Sequence, residues 1–242
     1  MRKINNHQKT KILQLAQRLN FPQEHLSVLE TALTHPTFFE GMPYGADSTN
    51  QRLEFLGDAV LDLLVGEYFF NRHQNVPEGS LTKMRAAVVC EASIARKAQA
   101  IGLGEALLLG RGGESGGDRE RSSVLGDVFE AVLGAIYITG GITAARDFVL
   151  SQLEGDMKNL SREDYEDPKS LLQEYVQSKS GQGVHYRLHD SSGPSHAPQF
   201  TAGVYHGDTL LAEGRGGSKK ESEAQAAKAA LESKASWDTL LD

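Results

Sequence analysis

Apolar residues recur at helical spacing through the first two thirds of the chain. Between residues 52 and 70 they lie three and four positions apart, which predicts a largely buried helix. A second helix is predicted from Ser80, a candidate N-cap. A third is predicted from about 122 to 139, where Gly140 and Gly141 interrupt the apolar period. Shorter helical patterns cover 7–18, 25–34 and 143–155.

The pattern changes near residue 156, where the chain becomes charged until it reaches Pro168. We interpret this segment as a linker between domains. Beyond it the pattern predicts a helix, three short strands and a final helix, at 168–179, 184–189, 199–205, 209–214 and 218–234. The predicted fold class is multidomain: an all-α domain at 1–155, a linker at 156–167, an α+β domain of order α-β-β-β-α at 168–236, and a tail at 237–242.

The net charge of the chain is informative only when it is calculated for each predicted domain separately. The 242 residues include 25 Lys and Arg against 32 Asp and Glu, a net charge of −7. Taken alone, this acidity argues against a polyanionic partner, because such partners are bound by neutralising their phosphates. Residues 168–235, however, hold eight basic and seven acidic side chains, so the remainder carries −8. The acidity belongs to the helical domain and the linker, and the second domain remains free to bind nucleic acid.

Cysteine content and the absence of targeting signals limit the setting of the protein. Cys90 is the only cysteine, which excludes an intramolecular disulfide and a thiolate zinc site and predicts a reducing compartment. No signal-peptide pattern and no run of eighteen apolar residues is present, so we expect a cytoplasmic protein without a membrane partner. The glycine cluster at 110–117 lacks the Lys-Ser/Thr of a phosphate-binding loop, and no small-molecule cofactor is predicted.

Two pairs of acidic side chains interrupt two of the apolar helices. Glu54 and Asp58 are four residues apart, and Asp127 and Glu130 are three apart, so each pair shares one helix face. Charged side chains are rarely buried unless they are paired or bind a metal ion, and carboxylate oxygens suit Mg²⁺. The four acids are therefore a candidate metal site. The alternative leaves them on a solvated face or pairs them with nearby arginines, of which the candidates are Arg52, Arg85 and Arg121.

Glycine lies beside each acidic pair. Gly57 stands between Glu54 and Asp58, and Gly126 directly precedes Asp127. Since glycine costs about 1 kcal/mol in the interior of a helix, its presence predicts the close approach of another group at both positions.

Several of these residues carry a resemblance to a known family. Residues 51–61, QRLEFLGDAVL, resemble the signature of the ribonuclease III family, whose members cut double-stranded RNA. Residues 125–135, LGDVFEAVLGA, resemble the second acidic helix of that family. The Thr-His-Pro-Thr sequence at 34–37, the Pro-Glu-Gly turn at 77–79 and the glycine-rich loop at 110–117 occur in the same order as in the family.

The resemblance implies an all-helical nuclease domain that forms a homodimer. It assigns a Mg²⁺ site, in which Mn²⁺ can substitute, to Glu54, Asp58, Asp127 and Glu130. Of these, Asp58 and Glu130 are the residues assigned to catalysis. Glu78 corresponds to an accessory acid at the border of the cleft, and Phe55 to an aromatic that packs into the partner subunit. Many relatives have glutamate where this chain has Gln51, so an outer accessory carboxylate is missing.

The activity implied by the resemblance is hydrolysis of phosphodiester bonds in double-stranded RNA by a Mg²⁺-activated water. It would leave 5′-phosphate and 3′-hydroxyl ends, with each subunit cutting one strand, in the processing of precursor ribosomal RNA and messenger RNA. The alternative is a non-catalytic dimer that binds double-stranded RNA, which an incomplete acid set would favour. A DNA nuclease using the same acids is disfavoured by the second domain.

The second domain resembles a double-stranded RNA-binding domain, both in its element order and in GRGGSKKESEAQAA at 214–227. Such domains read the shape of A-form RNA through its minor grooves and the phosphates between them. The resemblance assigns minor-groove contacts to Gln173, Glu174 and His196, and phosphate contacts at a helix N-terminus to Lys219 and Lys220. A merely solvated role is the alternative for the first three. Glu223 stands where many such domains carry a lysine, which predicts modest affinity.

Overall fold

A computed structural model describes residues 4–192, 194 and 197–240. The chain divides into two compact units, Met1–Leu160 and Ser161–Asp242. The first is helical, and the second combines helices with a three-stranded antiparallel sheet. The predicted fold class is therefore confirmed.

The first unit contains eight α-helices in its described part. They are α1 (Asn6–Arg18), α2 (Leu26–Ala32), α3 (Gln51–Arg72), α4 (Glu78–Val89), α5 (Glu91–Ala100), α6 (Leu103–Ala106), α7 (Arg111–Ser115) and α8 (Ser122–Asn159). Short 3₁₀ turns lie at Gln23–His25, Pro36–Phe39, Ala46–Ser48 and Asp118–Glu120. The sequence pattern did not predict α5, α6 or α7. Two of these are only one turn long, too short to display an apolar period.

Helix α4 begins earlier than its predicted N-cap. The backbone N–H groups of Ser80 and Leu81 both donate to the carbonyl oxygen of Pro77, at 3.0 and 3.1 Å. The first turn therefore starts at Glu78, and Pro77 occupies the N-cap position with an extended backbone. The prediction that Ser80 caps this helix is wrong, because the fixed φ of proline already favours the turn that follows it.

Helix α8 continues past the two glycines that were expected to end it. Gly141 has φ +71° and ψ −171°, a conformation that glycine adopts without a Cβ clash, and the helix bends there. Beyond the bend, Ala145, Val149 and Leu153 are buried, so the second half of the helix packs on the same core. The patterns at 122–139 and 143–155 are thus two halves of one bent helix. By length and composition α8 could also cross a membrane, but half of that apolar stretch is buried inside the protein.

Helices α3 and α8 form the most extensive contact in the first unit, and they cross at glycine. A Cβ atom on Gly57 would overlap the carbonyl oxygen of Glu130, and one on Gly134 would overlap that of Leu53. The two backbones therefore touch directly. This crossing fixes the positions of the acidic side chains on both helices.

The second unit is an antiparallel meander covered by helices. Its elements are α9 (Arg162–Tyr165), α10 (Pro168–Ser180), β1 (His185–Ser192), β2 (Gln199–His206), β3 (Thr209–Gly216), α11 (Lys219–Glu232) and α12 (Lys234–Trp237). The strands pair in the order β1-β2-β3, and Gly207 has a positive φ in the tight turn between β2 and β3. A compact core joins α10 and α11 to the sheet, and its buried residues are Leu172, Val176, Val204, Leu211, Ala226, Ala227, Ala230 and Trp237.

The segments on either side of the α+β domain contain more structure than the sequence predicted. Residues 156–159 belong to the end of α8, and Arg162–Tyr165 forms a helical turn, so the predicted linker is helical in part. Trp237, predicted to begin a tail, is only 2% exposed, and its indole N–H donates to the carbonyl oxygen of Ala230 at 3.0 Å. The core of this unit therefore extends beyond residue 236.

The glycine crossing gives a test of the packing. We expect Gly57→Ala to destabilise the protein by about 1–3 kcal/mol or more, because a methyl group there must push two backbones apart. The matched control is Gly66→Ala in the same helix, where the nearest atom to the added Cβ is Arg85 Cδ at 3.9 Å. That change is expected to be neutral, or stabilising by up to about 1 kcal/mol. Urea unfolding followed by far-ultraviolet circular dichroism measures both, and equal stability of the two variants would contradict the close crossing.

Candidate metal centre and nucleic-acid interface

Helices α3 and α8 bring the four candidate acids together. Glu54 and Asp58 extend from α3, and Asp127 and Glu130 from α8, on either side of the point where Gly57 meets the backbone of Glu130. Glu54, Asp127 and Glu130 are partly buried, whereas Asp58 is exposed. The close crossing places like charges from two helices in one region.

The mutual repulsion of these acids is visible in their ionisation. The pKa of Glu130 is raised to about 7, first by burial and then by the carboxylates of Asp58, Asp127, Glu54 and Asp62 in that order. Burial also raises the pKa of Glu54, with additional repulsion from Asp127 and Asp58. The pKa of Asp127 is raised in the same way, mainly by burial. The helical unit thus holds several carboxylates close together in a partly desolvated site.

The arginines that could have neutralised these acids are engaged elsewhere. Arg85 pairs with Asp62 at 3.5 Å, and Arg121 pairs with Asp118 at 2.8 Å. Arg52 pairs with Asp47. Among the ion pairs of the described residues, none joins these arginines to the four acids. The interpretation of the acids as partners of Arg52, Arg85 or Arg121 is therefore wrong.

The two glycines beside the acidic pairs differ in their surroundings. Gly57 contacts the backbone of α8 directly, as the sequence predicts. At Gly126, however, the nearest atom to an added Cβ is Glu91 Cγ at 3.9 Å, which is an ordinary contact. The expected close approach at Gly126 is therefore absent. The α8 glycine that makes the close crossing is Gly134, one turn beyond Glu130.

The donor chemistry of this site fits a divalent cation. Its carboxylate oxygens are hard ligands, and their raised pKa values reflect burial together with repulsion, which a cation would relieve. Within the described part of the chain, no three carboxylate, imidazole or thiolate groups are arranged to hold one ion among themselves. Because Mg²⁺ usually binds through one or two carboxylates and several waters, this arrangement suits a water-rich site better than a closed protein cage.

Two residues near the site were not identified from the sequence. His35 interacts electrostatically with Asp127, and its imidazole Nδ1 lies 2.9 Å from Thr37 Oγ1 while accepting the backbone N–H of Thr37 at 3.3 Å. Burial lowers the pKa of His35. Glu91, at the start of α5, is close enough to raise the pKa of Asp127. Both residues are far from Asp127 in the sequence, so no spacing pattern could have linked them to it. The only hint in the sequence was the Thr-His-Pro-Thr segment that contains His35.

Phe55, Gln51 and Glu78 lie outside the cluster of four acids. Phe55 is 80% exposed and, with Gln51 and Ile138, lines an open cavity of about 710 Å³. Glu78 is exposed at the start of α4, where it accepts a hydrogen bond from Thr82 Oγ1 at 3.0 Å. Glu78 is not among the groups that raise the pKa values of the four acids.

In the second unit, the predicted minor-groove residues on α10 make intramolecular contacts. The amide oxygen of Gln173 accepts the backbone N–H of Val184 at 2.9 Å, which ties the helix to the start of β1. The carboxylate of Glu174 is exposed and pairs with the guanidinium of Arg162. His196, the third residue of this set, lies outside the described residues.

The predicted phosphate-binding residues begin α11. Lys219 and Lys220 are exposed in its first turn, and Ser218 caps the helix by accepting the backbone N–H of Glu221 at 3.2 Å. The remaining N–H groups and the positive end of the helix dipole there favour an anion. The geometry suits two lysines that bridge phosphates.

Glu223 has a clear structural partner. Its carboxylate pairs with Lys169 Nζ at 2.6 Å, and that ammonium lies 4.4 Å from the ring centroid of Tyr186. Glu223, which stands where many double-stranded RNA-binding domains carry a lysine, therefore links α11 to α10.

Comparisons with known proteins agree with both units. A family model described as ribonuclease-III-like matches residues 25–157, and one described as double-stranded RNA binding motif matches residues 168–234. Ribonuclease 3 of Moorella thermoacetica is 44% identical over 228 residues, which cover 94% of this chain and 97% of that protein. Ribonuclease 3 of Syntrophomonas wolfei is 47% identical, over 87% of this chain and 90% of the relative.

A solved structure resembles the helical unit in both fold and sequence. The nuclease domain of ribonuclease III from Campylobacter jejuni is 40% identical, with a TM-score of 0.55. The match covers 60% of this chain and 96% of that domain.

The raised pKa of Glu130 predicts how the stability of the metal-free protein depends on pH. The unfolded chain releases this proton near pH 4.5 and the folded protein only near pH 7, so the folded state loses stability as pH rises between those values. In the presence of chelator, we expect the melting temperature of the wild type to decrease more than that of Glu130→Gln as the pH rises from 5 to 8. An exposed control, Glu24→Gln, should follow the wild type. Parallel curves for the wild type and Glu130→Gln would contradict the raised pKa.

Proposed function

Because this chain belongs to the ribonuclease III family and is an endoribonuclease of double-stranded RNA, we propose that it works as a Mg²⁺-dependent homodimer. The proposed metal residues are Glu54, Asp58, Asp127 and Glu130, with Asp58 and Glu130 the catalytic pair. Mn²⁺ is proposed as a substitute for Mg²⁺. No small-molecule cofactor or membrane partner is part of the proposal.

One observation carries the metal proposal. Four acids from α3 and α8 meet at a direct backbone crossing, and the neighbouring arginines are engaged with other acids. A divalent cation held by these carboxylates would supply an activated water for the attack on phosphorus and would stabilise the departing 3′ oxygen. The expected products carry 5′-phosphate and 3′-hydroxyl ends.

The protein side chains have separate tasks in this scheme. Glu130, the acid with the pKa of about 7, is the residue that must lose its proton before it can act as a ligand near neutral pH. Asp58 is exposed, so it faces the solvent-accessible side where a substrate phosphate would arrive. The rigid crossing below them holds both carboxylates without a mobile loop. Glu78 would act only at the border of the cleft.

The second unit is proposed to hold the duplex. Lys219 and Lys220 would contact phosphates, while Gln173, Glu174 and His196 would lie toward the minor grooves. We propose precursor ribosomal RNA and messenger RNA as substrates and the cytoplasm as the location, where these transcripts are made in bacteria. The complete set of four acids disfavours the alternative of a non-catalytic RNA-binding dimer.

Cleavage by Glu130→Ala tests this function. We expect duplex RNA to be cut by the wild type in Mg²⁺ but not in chelator, with single-stranded RNA and duplex DNA left intact. Glu130→Ala should keep its affinity for duplex RNA but lose cleavage by more than about 10³-fold, beyond the 10- to 100-fold effect of losing a residue that only supports a ligand. Glu67→Ala, an acid on the same helix as Asp58 that pairs with Arg146, is the control and should cut normally. Undiminished cleavage by Glu130→Ala would refute the assignment, and binding without cutting by the wild type would favour the non-catalytic alternative.

The dimer proposal rests on an exposed apolar stripe along α3. Phe55, Leu63 and Phe70 are 80%, 60% and 69% exposed and follow one face of the helix. Exposed apolar stripes of this kind mark protein interfaces. The cavity beside Phe55 is itself mostly apolar, so a two-fold axis would let the Phe55 side chain of each subunit reach the cavity of the other. The Campylobacter jejuni nuclease domain is described as having a region involved in dimer formation.

Phe55→Ala tests the interface. An aromatic anchor in an interface contributes about 2 kcal/mol or more, so the dimer dissociation constant should rise about 30-fold or more. Sedimentation equilibrium measures this. Leu13→Ala, which removes a comparably apolar exposed side chain from α1, is the control and should leave the dimer unchanged. A dimer of unaltered stability in Phe55→Ala would place the interface elsewhere.

A further inference from the structure

The short helix α9 belongs to the same compact unit as the RNA-binding elements, although it precedes them in the chain. Its first turn is organised by a capping box in which the backbone N–H and the hydroxyl of Ser161 both donate to Asp164, at 2.7 and 2.8 Å. These bonds lower the pKa of Asp164, which keeps the carboxylate charged and the turn formed. The backbone N–H of Glu166 closes the turn on the carbonyl oxygen of Arg162 at 3.0 Å. Arg162 is therefore presented from an ordered segment.

Arg162 reaches α10 at the residue proposed to face the minor groove. Its guanidinium pairs with the carboxylate of Glu174 in an ion pair between two exposed side chains. One nitrogen of the guanidinium makes this bond. Since arginine carries five N–H donors in a planar fork, the pairing leaves donors available for a phosphate.

The charges around this contact favour a polyanion. Arg162, Glu174 and Lys234 line one open cavity of about 380 Å³, and the ammonium of Lys234 lies 4.5 Å from the ring centroid of Tyr175. Two cations and one anion line the cavity, and the nearby Asp238 is itself paired with Lys179 at 3.0 Å, so cations outnumber anions on this small surface. Without Arg162, Glu174 would present an uncompensated carboxylate to an approaching phosphate backbone, and like charges repel.

We propose that Arg162 is a further RNA-contact residue, which extends the duplex-binding surface of the second unit onto the segment before α10. In the free protein Arg162 neutralises Glu174, and in the complex it contacts a phosphate of the bound duplex while remaining beside that carboxylate. The proposal rests on the proposed RNA-facing role of Glu174. It adds a contact that lies outside the helix, loop and lysines assigned by resemblance.

The salt dependence of binding provides the test. Each phosphate contact with double-stranded nucleic acid contributes about 0.9 to the slope of log K against log salt. We expect Arg162→Ala in the full chain, measured with a 30-base-pair RNA duplex in chelator, to reduce that slope by about 0.9. The ratio of the wild-type affinity to the variant affinity should therefore be about eightfold larger at 0.1 M salt than at 1 M salt. The loss should be the same for two unrelated duplex sequences, because a phosphate contact carries no sequence information.

Two further variants make the result specific. Arg162→Lys keeps the charge and should retain the slope of the wild type, which separates loss of charge from a failure to fold. Arg187→Ala is the matched control, since Arg187 lies on β1 of the same unit, pairs with Asp208 and has a side chain 53% exposed, against 54% for Arg162. Arg187→Ala should leave the slope unchanged.

Each outcome decides between distinct explanations. An unchanged slope and affinity in Arg162→Ala would overturn the proposal and leave the ion pair as a structural contact. Tighter binding by Arg162→Ala would also overturn it, because Arg162 would then mask Glu174 from RNA. If the wild type itself did not bind duplex RNA, the proposed function of the second unit would fail rather than the role of Arg162 alone.

Discussion

The direct contact between the backbones of α3 and α8 is the constraint on which the rest of the helical unit depends. Gly57 and Gly134 each face a carbonyl group of the other helix, so no other residue fits at either position without moving a helix. The contact lies between Glu54 and Asp58 on one helix and beside Glu130 on the other. Rigid backbone packing, rather than a flexible loop, therefore sets where the carboxylates stand.

That packing creates an electrostatic problem that the protein does not solve with its own cations. Burial and repulsion by neighbouring carboxylates raise the pKa values of Glu54, Asp127 and Glu130, while the nearby arginines pair with other acids. A site of this kind is less stable when fully ionised and empty than when a cation is present. The stability lost at the crossing and the proposed binding of a divalent ion would have the same physical origin.

The second unit uses charge differently. Two of its acids are tied to bases: Glu174 pairs with Arg162, and Glu223 pairs with Lys169 against the ring of Tyr186. These pairs link α9 to α10 and α10 to α11, and they neutralise two carboxylates that would repel a phosphate backbone under the proposed function. The near-neutral balance of residues 168–235 thus includes acids that are compensated locally by a neighbouring base. The net charge of the chain describes neither unit.

The sequence by itself determined the helix carrying Glu54 and Asp58, the three strands and the family, because apolar period, turn residues and motif spacing are local properties of the chain. It also predicted the close approach at Gly57. Tertiary structure decided that α8 continues through Gly141, that Gly134 rather than Gly126 makes the second close contact, and that Trp237 completes a core. It alone placed His35 near Asp127 and Arg162 against Glu174. These contacts join residues far apart in the chain, and no local pattern encodes which distant surfaces meet when the helices pack.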